Sequence, residues 1–330
     1  MNLDYEKIVL VTRKTRLEGL VERFNTVGQA RFYLEHSGGN FTQYQQEHDT
    51  YHAALDRLRG DLLELAKFQE IERGFLPNFL FADSDIVVTI GIDGLVVNTA
   101  KYLEGQPLVA VNPDPLHIDG ILLPFNVQQA ASAVRSVLKN QAGSRLISMA
   151  EARLNDGQSL LAFNDLFIGV KSHISARYLI QQGKQQEHHS SSGIIVSTGA
   201  GSTGWLSSLF NMANGMMAGV EKNAKTARKL PPFQLSWEDE KLFYVVREPF
   251  ASKTSGANMV CGYVTPNEPL LLQSEMSEGG VIFSDGVEAD FLVFNAGANA
   301  TIALSKKKTK LVVGDSDSRV RRTAPVEKSR

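Results

Sequence analysis

Residues 191–205 read SSGIIVSTGAGSTGW. The apolar run Ile194-Ile195-Val196 is strand-like, the eight residues after it are glycines, hydroxyls and one alanine, and an apolar helical pattern starts at Trp205. Glycine lets backbone approach a ligand closely. Serine and threonine add hydroxyl donors and acceptors, and the unpaired amides of a following helix favour phosphate or other oxygen-rich groups. Strand, glycine-rich turn, helix is also an ordinary connection, so the stretch gains meaning only from what surrounds it.

A second such unit lies upstream. Residues 85–90 (DIVVTI) form a continuous apolar run typical of a parallel strand covered on both faces, and Gly91, Ile92, Asp93 and Gly94 follow at its carboxyl end. Ligands of open α/β sheets bind at that end. Residues 95–103 read as a helix, which puts Asp93 at a strand mouth beside helix amides, a position suited to phosphate handling and proton abstraction, although Asp-Gly is also a common turn. A third cluster, Asn164-Asp165, interrupts the apolar segment 160–170. An amide beside a carboxylate can grip the paired hydroxyls of a ribose; on local grounds it can equally be a turn or a helix cap.

Around these clusters the chain has two textures. Residues 7–12 (KIVLVT) read as a first buried strand, residues 51–71 carry Tyr51, Leu55, Leu58, Leu62, Leu65 and Ala66 at helical spacing, and 108–112 is another short strand. Residues 13–25 read as a helix or partly irregular segment, and Gly38-Gly39 argues for a loop within 29–43. Residues 1–125 are therefore expected to form an α/β domain with a Rossmann-like parallel sheet. After a helix at 127–138 the pattern alternates, Asn155-Asp156-Gly157 is a hairpin signal, and short strands at 159–163, 243–247, 259–264, 270–273, 281–284 and 290–295 predict a β-rich, β-sandwich-like domain over 126–295. Residues 219–232 read as an exposed loop, and 314–330 have the composition of a disordered tail.

Composition narrows the function classes. The length of 330 residues and the hydrophobic content of 43% suit two domains with a substantial core. A net charge of -2 offers no global field for nucleic acid, and the run Lys306–Lys308 is short enough to be a solvated loop or strand edge. The single cysteine, Cys261, excludes an intrachain disulfide and a cysteine metal cluster, and points to a reducing cytoplasm. No apolar run approaches the roughly 18 residues needed to cross a bilayer, so no membrane role is expected. The pair His188-His189, with no carboxylate at ligand spacing, reads as exposed loop. Asp285-Gly286 reads as a hairpin turn, and Arg177 and Arg247 are candidate phosphate partners ranked below the glycine loops.

The order Gly-x-Asp-Gly, Asn-Asp, Ser-Thr-Gly-x-Gly-Ser-Thr-Gly resembles the NAD kinase family, and nearest its mitochondrial type and bacterial relatives; further similarity lies in 109–125, 162–178, Arg247-Glu248-Pro249 and 283–286. The resemblance spans roughly residues 80 to 300. It implies transfer of the terminal phosphoryl of ATP, or of polyphosphate, to the adenosine ribose 2′-hydroxyl of NAD, giving NADP, with Mg2+ bound through the phosphates and no metal ligand in the chain. By the same carry-over Asp93 is the general base, while Gly91, Gly94 and Asn112 serve the phosphate donor. Asn164, Asp165, Thr198, Gly201, Ser202 and Thr203 then bind NAD. The family also implies a homodimer and a carboxyl-terminal segment, 296–313, that returns to the first domain. Two departures touch the donor loop: the family's second glycine is Ile92 here, a β-branched residue that resists positive φ, and its following threonine is Leu95, which lacks the hydroxyl. Two other functions fit the same residues: a related kinase acting on a sugar, nucleoside or lipid hydroxyl, and a catalytically weak NAD or NADP sensor.

Overall fold

The computed structural model describes residues 5–220 and 229–314, which divide into two compact units, 5–145 with 309–314 and 146–220 with 229–308. The first unit runs β1 (Lys7–Thr12), α1 (Arg16–Phe24), α2 (Val27–His36), α3 (Phe41–Leu63), β2 (Lys67–Glu72), β3 (Asp85–Ile90), α4 (Asp93–Ala100), β4 (Pro107–Asn112), the two-residue β5 (Phe125–Asn126) and α5 (Val127–Leu138). Its strands lie in the order β2-β1-β3-β4, all parallel, with β5 pairing parallel to the end of β4. Every residue of β3 and β4 is buried, as continuous apolar runs require when helices cover both faces. Four of these helices start at side-chain caps that satisfy first amides, Thr15 with Glu18 for α1, Thr26 for α2, Asn40 for α3, and Asn126 with Gln129 for α5, whereas α4 has no side-chain cap.

The long helix expected over 51–71 is two elements. α3 ends at Leu63, and residues 67–72 form β2, in register with β1 from Lys7 opposite Lys67 to Thr12 opposite Glu72. The helical spacing of Leu58, Leu62, Leu65 and Ala66 carries on past the true helix end, and backbone pairing along the β1 edge overrides it. Residues 27–36 form α2, and Gly38, at φ +78°, breaks the chain before α3.

The second unit takes up most of β6 (Gly143–Leu154) and continues through β7 (Ser159–Ala162), β8 (Asp165–Val170), β9 (Ala176–Gln182), β10 (Gln185–Ser191), β11 (Ile194–Ser197), α6 (Trp205–Val220), β12 (Leu242–Val246), β13 (Cys261–Val264), β14 (Leu270–Ser274), β15 (Gly280–Ser284), β16 (Val287–Val293) and much of β17 (Asn299–Val313). One antiparallel sheet has the order β10-β9-β14-β17 and another β13-β12-β11-β8-β15-β16. Tyr178, Ile180, Leu272 and Ile302 of the first share one core with Ile168, Val196, Tyr244 and Ile282 of the second, which makes the unit a β-sandwich.

The units divide near 145 and 308, where the sequence pattern suggests 125 and the family resemblance implies 296. α5 places Ala130, Val134 and Val137 in the core of the first unit, and residues 299–302 of β17 still pair with β14 in the second. Only the last residues of β17 join the first unit, where Lys310 and Leu311 pair parallel to Pro107 and Leu108. Most of the tail, 315–330, and residues 221–228 of the expected loop lie outside the described residues. No described helix is long and apolar enough to cross a membrane.

His188 and His189 are strand residues of β10 rather than loop residues. His189 is 2% exposed, its ring stacks on Tyr178 at 5.6 Å, and its Nε2 meets Glu187 Oε2 at 2.7 Å; only His188 faces solvent, paired with Glu275. The run QQEHHSS has almost no apolar content, so its strand character comes from pairing with β9 and from polar groups satisfied inside, such as the Ser191–Tyr178 hydroxyl pair at 2.7 Å.

Candidate functional site

In the second unit, Asn164 and Asp165 sit where β7 gives way to β8, held by a residue far away in sequence. The Asp285 carboxylate accepts hydrogen bonds from the backbone amides of Phe163 at 3.1 Å, Asn164 at 2.6 Å and Asp165 at 3.3 Å. Asp285 and Gly286 both have positive φ, 55° and 70°, so the hairpin between β15 and β16 is of the primed type that matches strand twist, and it aims this carboxylate back at β8. The Asp165 carboxyl is pushed up to about 7, mainly by burial and further by the neighbouring Asp285 charge. Together the two carboxylates line a cavity of about 280 Å3 with Phe167, Trp205, Phe283, Arg247 and Gly286. Phe167 stacks against Trp205 at 5.9 Å and Phe283 at 5.8 Å, and the Arg247 guanidinium lies 5.5 Å from the Trp205 ring. Acidic acceptors beside flat aromatic surfaces suit a ligand carrying both hydroxyls and a planar ring.

The glycine-rich loop after β11 supports that cavity from within. Thr198 is fully buried: its hydroxyl donates to Phe163 O at 2.6 Å and accepts from Gly201 N at 3.2 Å, and its amide donates to Asn164 O at 2.9 Å. Ser202, also fully buried, donates to Gly199 O at 2.7 Å. A Cβ on Gly201 would come within 2.1 Å of Asn164 O, and one on Gly199 within 1.9 Å of Ser236 O. These glycines thus admit neighbouring backbone; Thr198 and Gly201 position Asn164, while Ser202 ties the loop to Gly199 and Leu235. Thr203 and Gly204 are exposed at the start of α6, which brings Trp205 to the cavity. Arg177 lies elsewhere, exposed on β9 in a separate cavity with Glu275 and Glu278.

In the first unit, Asp93 is the first residue of α4, where helix amides lack intrahelical partners. Its Oδ1 accepts from Leu122 N at 3.1 Å, which fixes the carboxylate's orientation. Gly91 is buried at the end of β3 and donates to Val111 O at 3.1 Å. Gly94 is exposed, and a Cβ there would meet nothing nearer than Ile92 Cδ1 at 3.9 Å. Ile92 takes an extended conformation, φ -103°, so its β-branched side chain fits the loop without strain; it is 43% exposed and lines a cavity of about 500 Å3. Leu95, by contrast, is 1% exposed and belongs to the core. Asn112 is buried, with Nδ2 donating to Ile118 O and Oδ1 accepting from Asp114 N, both at 2.9 Å, so it shapes the loop after β4. The cavity's other lining includes Arg13, Arg16, Glu47, Tyr51, Asp114 and His117.

Sequence patterns did not single out the Asp285 clamp, the aromatic stack or the Arg13–Arg16–Glu47 group. The first had a partial signal in the Asp-Gly dipeptide; the others depend on contacts between distant segments. Among the described residues one further group has metal-ligand geometry, Glu18, His48 and His52, with ligand atoms within 4.8 Å of one another on α1 and α3.

An α/β unit with Gly-x-Asp-Gly after a central strand, joined to a β-sandwich unit with Asn-Asp and a hydroxyl-rich glycine loop, is the architecture of the NAD kinase fold. Comparison with solved structures agrees: yeast NADH kinase complexed with NADH superposes with a TM-score of 0.61 over 98% of this chain and 91% of that one, at 12% identity. An NAD kinase from Archaeoglobus fulgidus in complex with ATP gives a TM-score of 0.53, covering 96% of both chains at 15% identity. In sequence, the chain is similar to an NAD kinase of Prosthecochloris aestuarii, 28% identical over 140 residues, a match spanning 41% of this chain and about half (48%) of that protein. No family model matches. The resemblance to the NAD kinase family thus holds both in sequence and in fold.

Proposed function

We propose that this protein is an NAD kinase that transfers the terminal phosphoryl group of ATP to the 2′-hydroxyl of the adenosine ribose of NAD. The observation that carries the proposal is Asp93, fixed by Leu122 N at the first turn of α4 in a chain with the NAD kinase fold. The Asp93 carboxylate takes the 2′-hydroxyl proton, the ribose oxygen forms a bond to the terminal phosphorus, and the bond from that phosphorus to the bridging oxygen breaks, leaving ADP. Asn164 and Asp165 hold ribose hydroxyls of the dinucleotide, and the Phe167–Trp205–Phe283 surface receives a planar ring. Gly94, exposed, leaves room for the donor's phosphates, while Gly91 makes room for the Arg13 side chain beside them.

Both carboxylates facing the first unit's cavity are engaged, Glu47 by Arg13 and Arg16 and Asp114 by His117 at 2.8 Å. That suits a divalent cation such as Mg2+ arriving on the donor, where it neutralises phosphate charge. NAD and NADH carry the same adenosine ribose, so the same chemistry serves either, and polyphosphate is the alternative donor. The family resemblance and the lone cysteine support a homodimer working in the cytoplasm. Purified protein with NAD, ATP and magnesium is expected to form NADP, read by an NADP-specific dehydrogenase. Absence of NADP with either ATP or polyphosphate, from NAD or NADH, would overturn the proposal.

A further inference from the structure

In the first unit the chain leaves β1 toward β2 on one side and leaves β3 toward β4 on the other, so the carboxyl ends of β1 and β3 flank the sheet's topological switch point. Open α/β sheets bind ligands there. Arg13 follows β1, and Gly91 follows β3. The Arg13 guanidinium lies over the Tyr51 ring at 5.0 Å, and its side chain is only 11% exposed. Its Nε is buried with no hydrogen-bond partner, so the charge is compensated through Nη1, which donates to Lys14 O at 3.1 Å, and through Nη2 on Glu47. A Cβ on Gly91 would lie 3.3 Å from Arg13 Nε and Cδ, so the glycine also gives this side chain its place.

Glu47 of α3 bridges two cations. Its Oε1 accepts from Arg13 Nη2 at 3.1 Å, and its Oε2 pairs with Arg16 Nε. One carboxylate thus serves two guanidinium groups at the edge of the 500 Å3 cavity. Guanidinium forks match the paired oxygens of phosphate, and an oligophosphate offers several such pairs where Glu47 offers one. Exposed Ile92 adds an apolar wall to the same cavity.

We propose that this cavity is an oligophosphate site in which Arg13 and Arg16 receive the phosphate chain, and that Glu47 is a built-in counter-anion which the ligand displaces. Naming the ligand as the nucleoside triphosphate donor rests on the kinase proposal; the anion chemistry stands without it. Glu47 keeps the arginines compensated in the empty site, and its charge competes with the incoming phosphates.

The test is calorimetric titration of the full chain with inorganic triphosphate, alongside NADP formation with ATP in the same preparations. Glu47→Gln is expected to tighten triphosphate binding about five- to tenfold, by removing a like charge at hydrogen-bond distance. Arg16→Gln, at a side chain 56% exposed and so safe for folding, is expected to weaken it about tenfold. No triphosphate binding, or equal affinity in all three proteins, overturns the site. If triphosphate affinity follows the expected order while no NADP forms, the anion site stands and the kinase proposal falls. If NADP forms with the same KM for ATP in all three, the kinase proposal stands and this site falls.

Discussion

Two loops in this molecule look alike as strings of glycine and polar residues, and the structure uses them in opposite ways. Residues 197–204, after β11, are knitted into their own unit: Thr198 and Ser202 spend their hydroxyls on backbone carbonyls, and Gly199 and Gly201 let other backbone segments within van der Waals reach. Residues 91–94, after β3, are less tightly knit: Gly91 is buried against Leu95 and Arg13 and Asp93 accepts from Leu122 N, but Ile92 is 43% exposed and Gly94 is exposed with nothing nearer than Ile92 Cδ1. A glycine beside backbone keeps a frame rigid, whereas a glycine beside empty space keeps room for a ligand. The first loop positions Asn164 and Asp165; the second holds the Asp93 carboxylate at the first turn of α4.

Substitutions can break this contrast. The largest effect is expected at Gly201→Ala, where the added Cβ meets Asn164 O at 2.1 Å; overpacking of this kind costs about 3 kcal/mol, read as a lower denaturant midpoint. Asp285→Ala strips the acceptor from three amides. It is expected to cost about 2 kcal/mol and to weaken NAD binding in the same titration series, because Asn164 and Asp165 lose their anchor.

Asp165 sharpens the comparison through pH. Its carboxyl titrates near 7 in the folded protein against an ordinary 3.8, so the folded state holds the proton more tightly than the unfolded chain. Its contribution to stability therefore declines as pH rises from about 4 to about 7, and the cost is complete above that. NAD binding follows the opposite sign, since a carboxylate accepts from ribose hydroxyls better than a carboxyl does. Affinity should rise a few-fold through about pH 7 in the wild type and stay flat in Asp165→Asn. Smallest in stability is Gly94→Ala: with 3.9 Å of clearance and no positive φ, melting should shift by the equivalent of less than about 1 kcal/mol, and not necessarily downward, since alanine is the better helix former. NADP formation should drop all the same, through crowding of the phosphate path.

Much of this architecture was legible in the sequence because its signals are local. The runs 7–12, 85–90 and 108–112 are mostly apolar because both faces of the sheet are covered, and Asn155-Asp156-Gly157 marks a real hairpin with Gly157 at φ +92°. β2 and β10 escaped because their strand character comes from partners: KFQEIE is mostly exposed at a sheet edge, and QQEHHSS is polar in a place where tyrosine and serine satisfy it. At the site, the three motifs and their order could be read directly. What each glycine is for could not, since that depends on Asn164 O and Ser236 O arriving from elsewhere in the chain. At Ile92 the backbone is extended, so the departure from glycine there carries no φ strain.

On the proposed kinase activity, unit one does the chemistry and unit two recognises the dinucleotide, and Asp93→Asn separates these roles. NAD affinity by calorimetry and NADP formation with ATP and magnesium should be measured on the wild type and this variant together. The NAD Kd should stay unchanged within about twofold and NADP formation fall by about 100-fold or more, as loss of a general base requires. An Asp93→Asn protein that turns over at the wild-type rate would contradict this division of roles.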